Sequence, residues 1–300
     1  MKSPVSVVAL AAWLLSAPAL ADLKVFACEP EWAALAGELG GARVEAVAAV
    51  TGAQDVHYIQ ARPSLIARVR NADFVVCTGA DLEVAWLPLL LRQANNPRVQ
   101  PGQTGFLAAA DFVTLLEIPV SVDRAGGDIH PFGNPHIQTD PRNILPVAVE
   151  LSARLGAIDP DGAAEYARLL EDFRVRWQQA LERWQARAAA LAGMEIVVHH
   201  NSWIYMNAWL GLDQLGSLEA KPGVPPSAGH LAALLAQIGS HNPRAIVRAA
   251  YQSARPSEWL SGRAGIPALV LPHTVGAVEG ADDLFAVYEI MLDRLEGVAP

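Results

Sequence analysis

A chain of 300 residues exceeds what one hydrophobic core usually holds, and a net charge of −9 with no basic cluster argues against nucleic acid as a partner. The negative balance is compatible with cation binding. An Ala- and Leu-rich composition, with strand-like and helix-like segments in alternation, favours an α/β class with two lobes.

Residues 1–21 read as a secretory signal peptide. Lys2 supplies the positive n-region, Val5 to Leu15 the apolar core and Ala19-Leu20-Ala21 the cleavage site, so the mature chain begins at Asp22. No Cys follows that site, and no later segment is apolar for long enough to span a bilayer. The expected destination is a bacterial periplasm, with the protein not membrane-embedded.

Residues 22–158 form the expected N-terminal α/β lobe. Strands are predicted at Leu23–Ala27, Arg43–Val50, Asp73–Thr78 and Phe112–Leu116. Between them lie helices at Glu31–Leu39, from Pro63-Ser64 to Asn71, and at Leu82–Ala94 with an interruption at Pro88; Asn143–Leu155 closes the lobe. Strand–helix–strand order with short connections argues a parallel sheet with crossover helices. Cys28 and Cys77 end two strands that such a sheet makes neighbours, and the periplasm is oxidising, so a disulfide is expected between them. The Arg124–Pro131 stretch reads as a mobile loop.

Residues 159–192 form a long linking helix, capped by Asp159-Pro160-Asp161. Tyr166, Leu169, Leu170, Phe173, Trp177, Leu181, Trp184, Ala188 and Leu191 repeat at three- and four-residue steps with no Gly or Pro between Asp161 and Leu191 except Gly162 near the start. A helix of that length reads as a rigid strut. Residues 193–300 form a second α/β lobe, with strands at Glu195–His199, Ala245–Ala249 and Ala268–Leu271 and a weaker one at Leu212–Leu218. Its helices are predicted at Trp203–Trp209, Ser227–Ile238 and Asp282–Leu295.

Four histidine-bearing segments carry the chemistry: Asp55-Val56-His57-Tyr58, Asn134-Pro135-His136-Ile137, His199-His200-Asn201-Ser202-Trp203-Ile204-Tyr205 and Leu269-Val270-Leu271-Pro272-His273. Each follows a strand-like run or precedes a helix start, where open α/β sheets collect ligands. Imidazole is the commonest metal ligand and a convergent histidine set suits zinc. No pair has the local spacing of a metalloprotease helix or a zinc finger, so folding must assemble the site.

In these segments the chain resembles the zinc/manganese type (cluster A-I) of solute-binding protein that serves bacterial ABC transporters. Asp55 to Pro63 matches in part a D-P-H-x-Y-E-P-x-P pattern. Asn134 to Pro141 matches D-P-H-x-W-x-D-P, and His200 to Tyr205 matches H-x-x-F-x-Y. The family's fourth ligand is usually an acid three residues before a Gly; counted back from Gly276, that place holds His273. Val56, Gln138, Thr139 and His273 depart from the pattern, and the family's His-rich acidic loop shrinks here to His130.

The resemblance implies two α/β lobes, each a mainly parallel sheet flanked by helices, joined by one long rigid helix, with metal in the interlobe cleft. It implies His57, His136, His200 and His273 as metal ligands and Zn2+ as the ion, Mn2+ being less suited to imidazole donors. The implied partner is an inner-membrane ABC permease, with a periplasmic zinc chaperone as a further one and a monomer as the working state. Alternatives to His273 are Glu279, Asp282, Asp283 and water. His199 competes with His200, but successive strand residues face opposite ways. His130 is expected in a solvent-exposed loop, His230 and His241 at the surface. Two other functions stay open: a zinc store or chaperone, and a zinc hydrolase with Glu29 or Glu279 as base.

Overall fold

The computed structural model describes residues 23–121, 126–127 and 129–299; the expected signal peptide and, from the Arg124–Pro131 stretch, Arg124, Ala125 and Asp128 lie outside the described residues. Two four-stranded sheets, all parallel, make up the fold. The first runs β2-β1-β3-β4, from β1 (Leu23–Ala27), β2 (Val44–Ala48), β3 (Phe74–Cys77) and β4 (Phe106–Ala108). The second repeats that order as β6-β5-β7-β8, from β5 (Glu195–Val198), β6 (Asp213–Ser217), β7 (Ala245–Ala249) and β8 (Ala268–Leu271). The central strands β1, β3, β5 and β7 are nearly continuous apolar runs because helices cover both faces of each sheet.

In the first lobe those helices are α1 (Pro30–Gly40), α2 (Pro63–Asn71), α3 (Leu87–Ala94) and α4 (Ile144–Ile158). In the second they are α6 (Ile204–Leu210), α7 (Ala228–Ile238), α8 (Ala254–Ala264) and α9 (Leu284–Glu296). Between the lobes runs α5 (Ala163–Ala188), 26 residues and about 39 Å long at 1.5 Å per residue.

The buried stripe of α5, Tyr166, Phe173, Trp177, Ala180, Trp184 and Ala188, faces both lobes. Trp177 Nε1 donates to the Pro141 carbonyl at 3.0 Å in the first lobe, and Trp184 Nε1 to Glu289 at 2.8 Å on α9 in the second. One hydrophobic cluster runs from Leu23 and Val25 through these tryptophans to Met291 and Leu292, while each lobe keeps a smaller core on its far side. A core shared across the strut holds the lobes in one relation and leaves the opposite edge, where the strands end, for the cleft.

Three expectations need correction. The fourth strand is Phe106–Ala108, paired to Val75–Cys77, and not Phe112–Leu116; Ala109–Phe112 is a tight 3-10 turn. The helix expected from Leu82 begins at Leu87: residues 82–86 run as successive turns, with Val84 N–H donating to the Asp81 carbonyl and Trp86 N–H to that of Glu83, and Trp86 at φ −136° is the non-helical cap. Pro88 sits in the first turn of α3, where its missing N–H costs nothing, so it starts the helix rather than interrupting it. Helix α8 went unforeseen in a polar segment containing Pro256; Gly265, at φ 71°, ends it. Cys28 and Cys77 are joined by a disulfide between neighbouring strands, with Cα atoms 4.7 Å apart.

Candidate metal centre

The three histidines reach one place by three local devices. His57 lies in a single 3-10 turn, Val56–Tyr58, capped by Asp55. The Asp55 carboxylate accepts the His57 backbone N–H at 3.0 Å and pairs with its Nδ1 at 2.7 Å. Trp86 Nε1 pins the turn by donating to the Val56 carbonyl at 2.8 Å. His136 follows Asn134-Pro135, and Asn134 Oδ1 accepts its backbone N–H at 3.1 Å. Thr139 Oγ1 donates to the His136 carbonyl at 2.9 Å. His200 leaves the end of β5 in extended conformation, and its Nδ1 pairs with Glu219 Oε2 at 2.8 Å. The Gly223 N–H holds that carboxylate at 2.9 Å.

His57, His136 and His200 are 6%, 5% and 7% exposed, so all three imidazoles are buried. Their ring centroids lie 5.5 Å (His57–His136), 5.9 Å (His57–His200) and 5.5 Å (His136–His200) apart. One ring nitrogen from each falls within 4.8 Å of the others. Tetrahedral zinc with Zn–N bonds of ~2.0–2.1 Å needs nitrogens about 3.4 Å apart, so a small inward shift completes the set. His136 Nε2 is buried without a hydrogen-bond partner. Burial pushes the His136 imidazole well below its ordinary value, and the neighbouring charges of His57 and His200 push it the same way. It is therefore held neutral, the form that ligates. Burial alone would raise the Asp55 carboxyl, but its bonds to His57 outweigh that and keep it ionised.

The cluster straddles the lobes. Asn134 Nδ2 donates to the Asn201 carbonyl at 2.8 Å, and Tyr205 OH donates to the Asn134 carbonyl at 2.6 Å. Tyr288 OH donates to the Gln138 carbonyl at 2.7 Å, and Thr274 Oγ1 donates to Glu31.

The fourth expected donor, His273, is not among the three gathered nitrogens. Its ring stands edge-on to Tyr251 at 5.0 Å, and its carbonyl accepts from Gln138 Nε2 at 3.4 Å. Burial pushes its imidazole down to about 4, against the pull of Asp55. Glu279 and Asp282 are exposed, and Asp283 caps α9 by accepting the Ala286 N–H at 2.8 Å. Glu29 is committed to the Thr78 N–H and hydroxyl, both at 3.1 Å. His199 lies beside the cluster, its Nε2 3.9 Å from Glu219. His130 comes close, its ring 5.5 Å from His57 and partly buried, against the expectation of a solvent-exposed loop. His241 is exposed and pairs with Glu195 at 2.9 Å, whereas His230 binds the Ser217 carbonyl at 2.8 Å.

Two residues escaped the sequence reading, Asp55 as partner of His57 and Glu219 as partner of His200. Asp55 sits two residues from its histidine, a spacing from which an Asx-type cap is readable. Glu219 lies in a loop 19 residues beyond His200, and only the parallel pairing of β5 with β6 brings it there.

Fold and geometry define a class: a two-lobed α/β protein on a helical strut, with a buried histidine cluster where the strands of both lobes end. The family described as zinc-uptake complex component A, periplasmic, matches residues 25–298, and the chain belongs to it. The high-affinity zinc uptake system protein ZnuA of Yersinia pestis is 25% identical over 197 residues. That match spans 62% of this chain and 62% of the relative. Among solved structures, a zinc-bound deletion mutant of ZnuA superposes with a TM-score of 0.77 at 21% identity, covering 92% of this chain and 98% of that one. A manganese-bound variant of the periplasmic metal-binding protein of Candidatus Liberibacter asiaticus gives 0.74 at 15% identity, with 92% and 99% covered. At such identities these likenesses speak for the fold.

Proposed function

We propose that the protein captures Zn2+ in the periplasm through His57, His136 and His200 and delivers it to an inner-membrane ABC permease. The carrying observation is the gathering of three buried imidazole nitrogens within 4.8 Å, two of the rings oriented by carboxylates. Asp55 and Glu219 supply two negative charges against the dication and fix which nitrogen faces the metal. An all-nitrogen set favours zinc over manganese, which prefers oxygen donors and higher coordination.

Membership of a periplasmic uptake family favours delivery over storage, and a binding protein over an enzyme. A zinc hydrolase needs a base beside the metal, and neither Glu29 nor Glu279 belongs to the cluster. The fourth coordination position then falls to His273 after a rearrangement of its loop, or to a donor from outside the chain. Elemental analysis of protein purified from periplasm, followed by competition titration with zinc and manganese, tests the reading. One zinc per chain that manganese does not displace is expected; preferential manganese loading would overturn it.

A further inference from the structure

The rings of His57 and His200 are each aimed by a carboxylate on Nδ1, at 2.7 and 2.8 Å. The His136 ring has no such partner among the described residues, and its Nε2 is buried with no hydrogen bond. Its aim therefore has to come through the backbone. His136 is the centre of an inverse γ-turn, at φ −77° and ψ 46°, with the Ile137 N–H donating to the Pro135 carbonyl at 2.7 Å. So tight a turn closes on one bond of its own, and its setting depends on what grips its two ends.

Both ends are gripped by tyrosine hydroxyls of the second lobe, Tyr205 on α6 and Tyr288 on α9. Two residues before His136, the Asn134 carbonyl accepts from Tyr205 OH at 2.6 Å, and that hydroxyl accepts the Leu116 N–H at 3.0 Å. Two residues after it, the Gln138 carbonyl accepts from Tyr288 OH at 2.7 Å. Asn134 passes the grip on: its Oδ1 accepts the His136 N–H at 3.1 Å while its Nδ2 is held on the Asn201 carbonyl at 2.8 Å. Both tyrosines are buried, where a polar group stripped of its partner is costly. Phenylalanine would fill the same space, so the hydroxyls answer to the two peptides that flank the ligand.

We infer that Tyr205 and Tyr288 are positioning residues for His136, holding the peptides on either side of it so that its imidazole meets those of His57 and His200. The inference rests on the zinc-binding reading. It also gives the last residue of the His200–Tyr205 segment a task. That segment lends one ligand of its own and sets another that the first lobe supplies.

Zinc competition titrations of the full chain, run as double-mutant cycles, test this. Tyr205→Phe and Tyr288→Phe remove only the hydroxyl, and each should weaken zinc binding about tenfold. In a His136→Ala background either substitution should change affinity by less than about twofold, because the ring it positions is gone. In a His200→Ala background the loss should remain. A loss that persists without His136 overturns the inference and makes the tyrosines general supports of the fold. A Tyr205→Phe loss that vanishes without His200 overturns it as well, by assigning the hydroxyl to the ligand on its own segment. Wild-type affinity in both Phe variants overturns it while sparing the zinc-binding reading. Should circular dichroism show Tyr205→Phe unfolded, Tyr288→Phe carries the same cycles. A wild-type chain that binds no zinc removes the reading beneath.

Discussion

The two lobes share one strand order and finish their central strands differently. The Cys28 N–H donates to the Val76 carbonyl at 2.9 Å as β1 ends, and the His199 N–H donates to the Val247 carbonyl at 2.7 Å as β5 ends. Cys28 and His199 therefore occupy equivalent places, as do Glu29 and His200 one residue later. In the first lobe that place is cross-linked to Cys77 on the next strand; in the second, Arg248 stands opposite and binds the Gln252 carbonyl at 3.1 Å. The first lobe thus locks its strand ends covalently and lends its metal donors from two long loops. The second lends its donor directly from the strand end. A rigid platform is needed where the donors sit on loops, because loops alone position poorly.

Removing donors is the sharpest way to break this comparison. His57→Ala, His136→Ala and His200→Ala should each weaken zinc binding about a thousandfold or more, some 4 kcal/mol, in a competition titration. His273→Ala, outside the gathered set, should cost less than tenfold, and His241→Ala nothing measurable. A His273→Ala loss as large as the other three would make it a ligand equal to them.

The disulfide comes next. Cys28 and Cys77 enclose a separation of 49 residues, and replacing both with Ala should lower unfolding stability by about 2–4 kcal/mol in urea titrations of the metal-free protein. Zinc affinity should also fall, since the loops bearing His57 and His136 lean on that platform. Unchanged stability would mean the strands need no cross-link. Unchanged affinity would mean the loops hold their own geometry.

Much of this was readable from the chain because the signals are local. The apolar runs of β1, β3, β5 and β7, the stripe of α5 and the histidine segments each announce themselves within about ten residues. What escaped depends on distance. Glu219 meets His200 only through β6, an edge strand of Asp-Gln-Leu-Gly-Ser with little apolar character and a register shift opposite Ile196 and Val197. The expectation for His273 rests on a count back from Gly276, and a count along the chain leaves open where the loop turns its ring. Strand β4 was misplaced because Phe112–Leu116 is the more strand-like run, whereas pairing to β3 selected Phe106–Ala108.

A finer contrast concerns the carboxylates behind the rings. Asp55 is two residues from its histidine and Glu219 is 19, yet each makes one short bond to Nδ1. Asp55→Asn and Glu219→Gln should each lower zinc affinity about 10- to 100-fold, with the metal still bound by three imidazoles. Asp55 also caps the turn through the His57 N–H, so Asp55→Asn, which keeps that acceptor, separates charge from geometry. Should Glu219→Gln bind zinc as tightly as wild type, the ion's charge is balanced elsewhere.

The smallest expected effect lies where the lobes touch. Glu31, at the start of α1, accepts the Thr274 hydroxyl from the second lobe and is 2% exposed. Burial raises its carboxyl to about 7, against the hydroxyl and backbone bonds that lower it, and Glu83 adds to the rise. The folded protein therefore keeps a proton there that the unfolded chain, with an ordinary carboxyl near ~4.3, has released. The stabilising contribution is fully present below the unfolded value. It declines as pH rises towards the folded value, at up to about 1.4 kcal/mol per pH unit, and is gone above it. Glu31→Gln keeps an acceptor for Thr274 and removes the titration. Glu29 and Glu83 are also raised by burial, and Asp159 is lowered because its bonds to Tyr166 and Arg43 outweigh burial, so the wild-type slope alone is a mixture. The informative quantity is the difference between Glu31→Gln and wild type, measured without metal so that proton competition at the histidines plays no part. That difference should grow in favour of the variant by about 1 kcal/mol between roughly pH 5 and 6. A difference independent of pH would place Glu31 in contact with water and leave the junction of the lobes wetter than its packing implies.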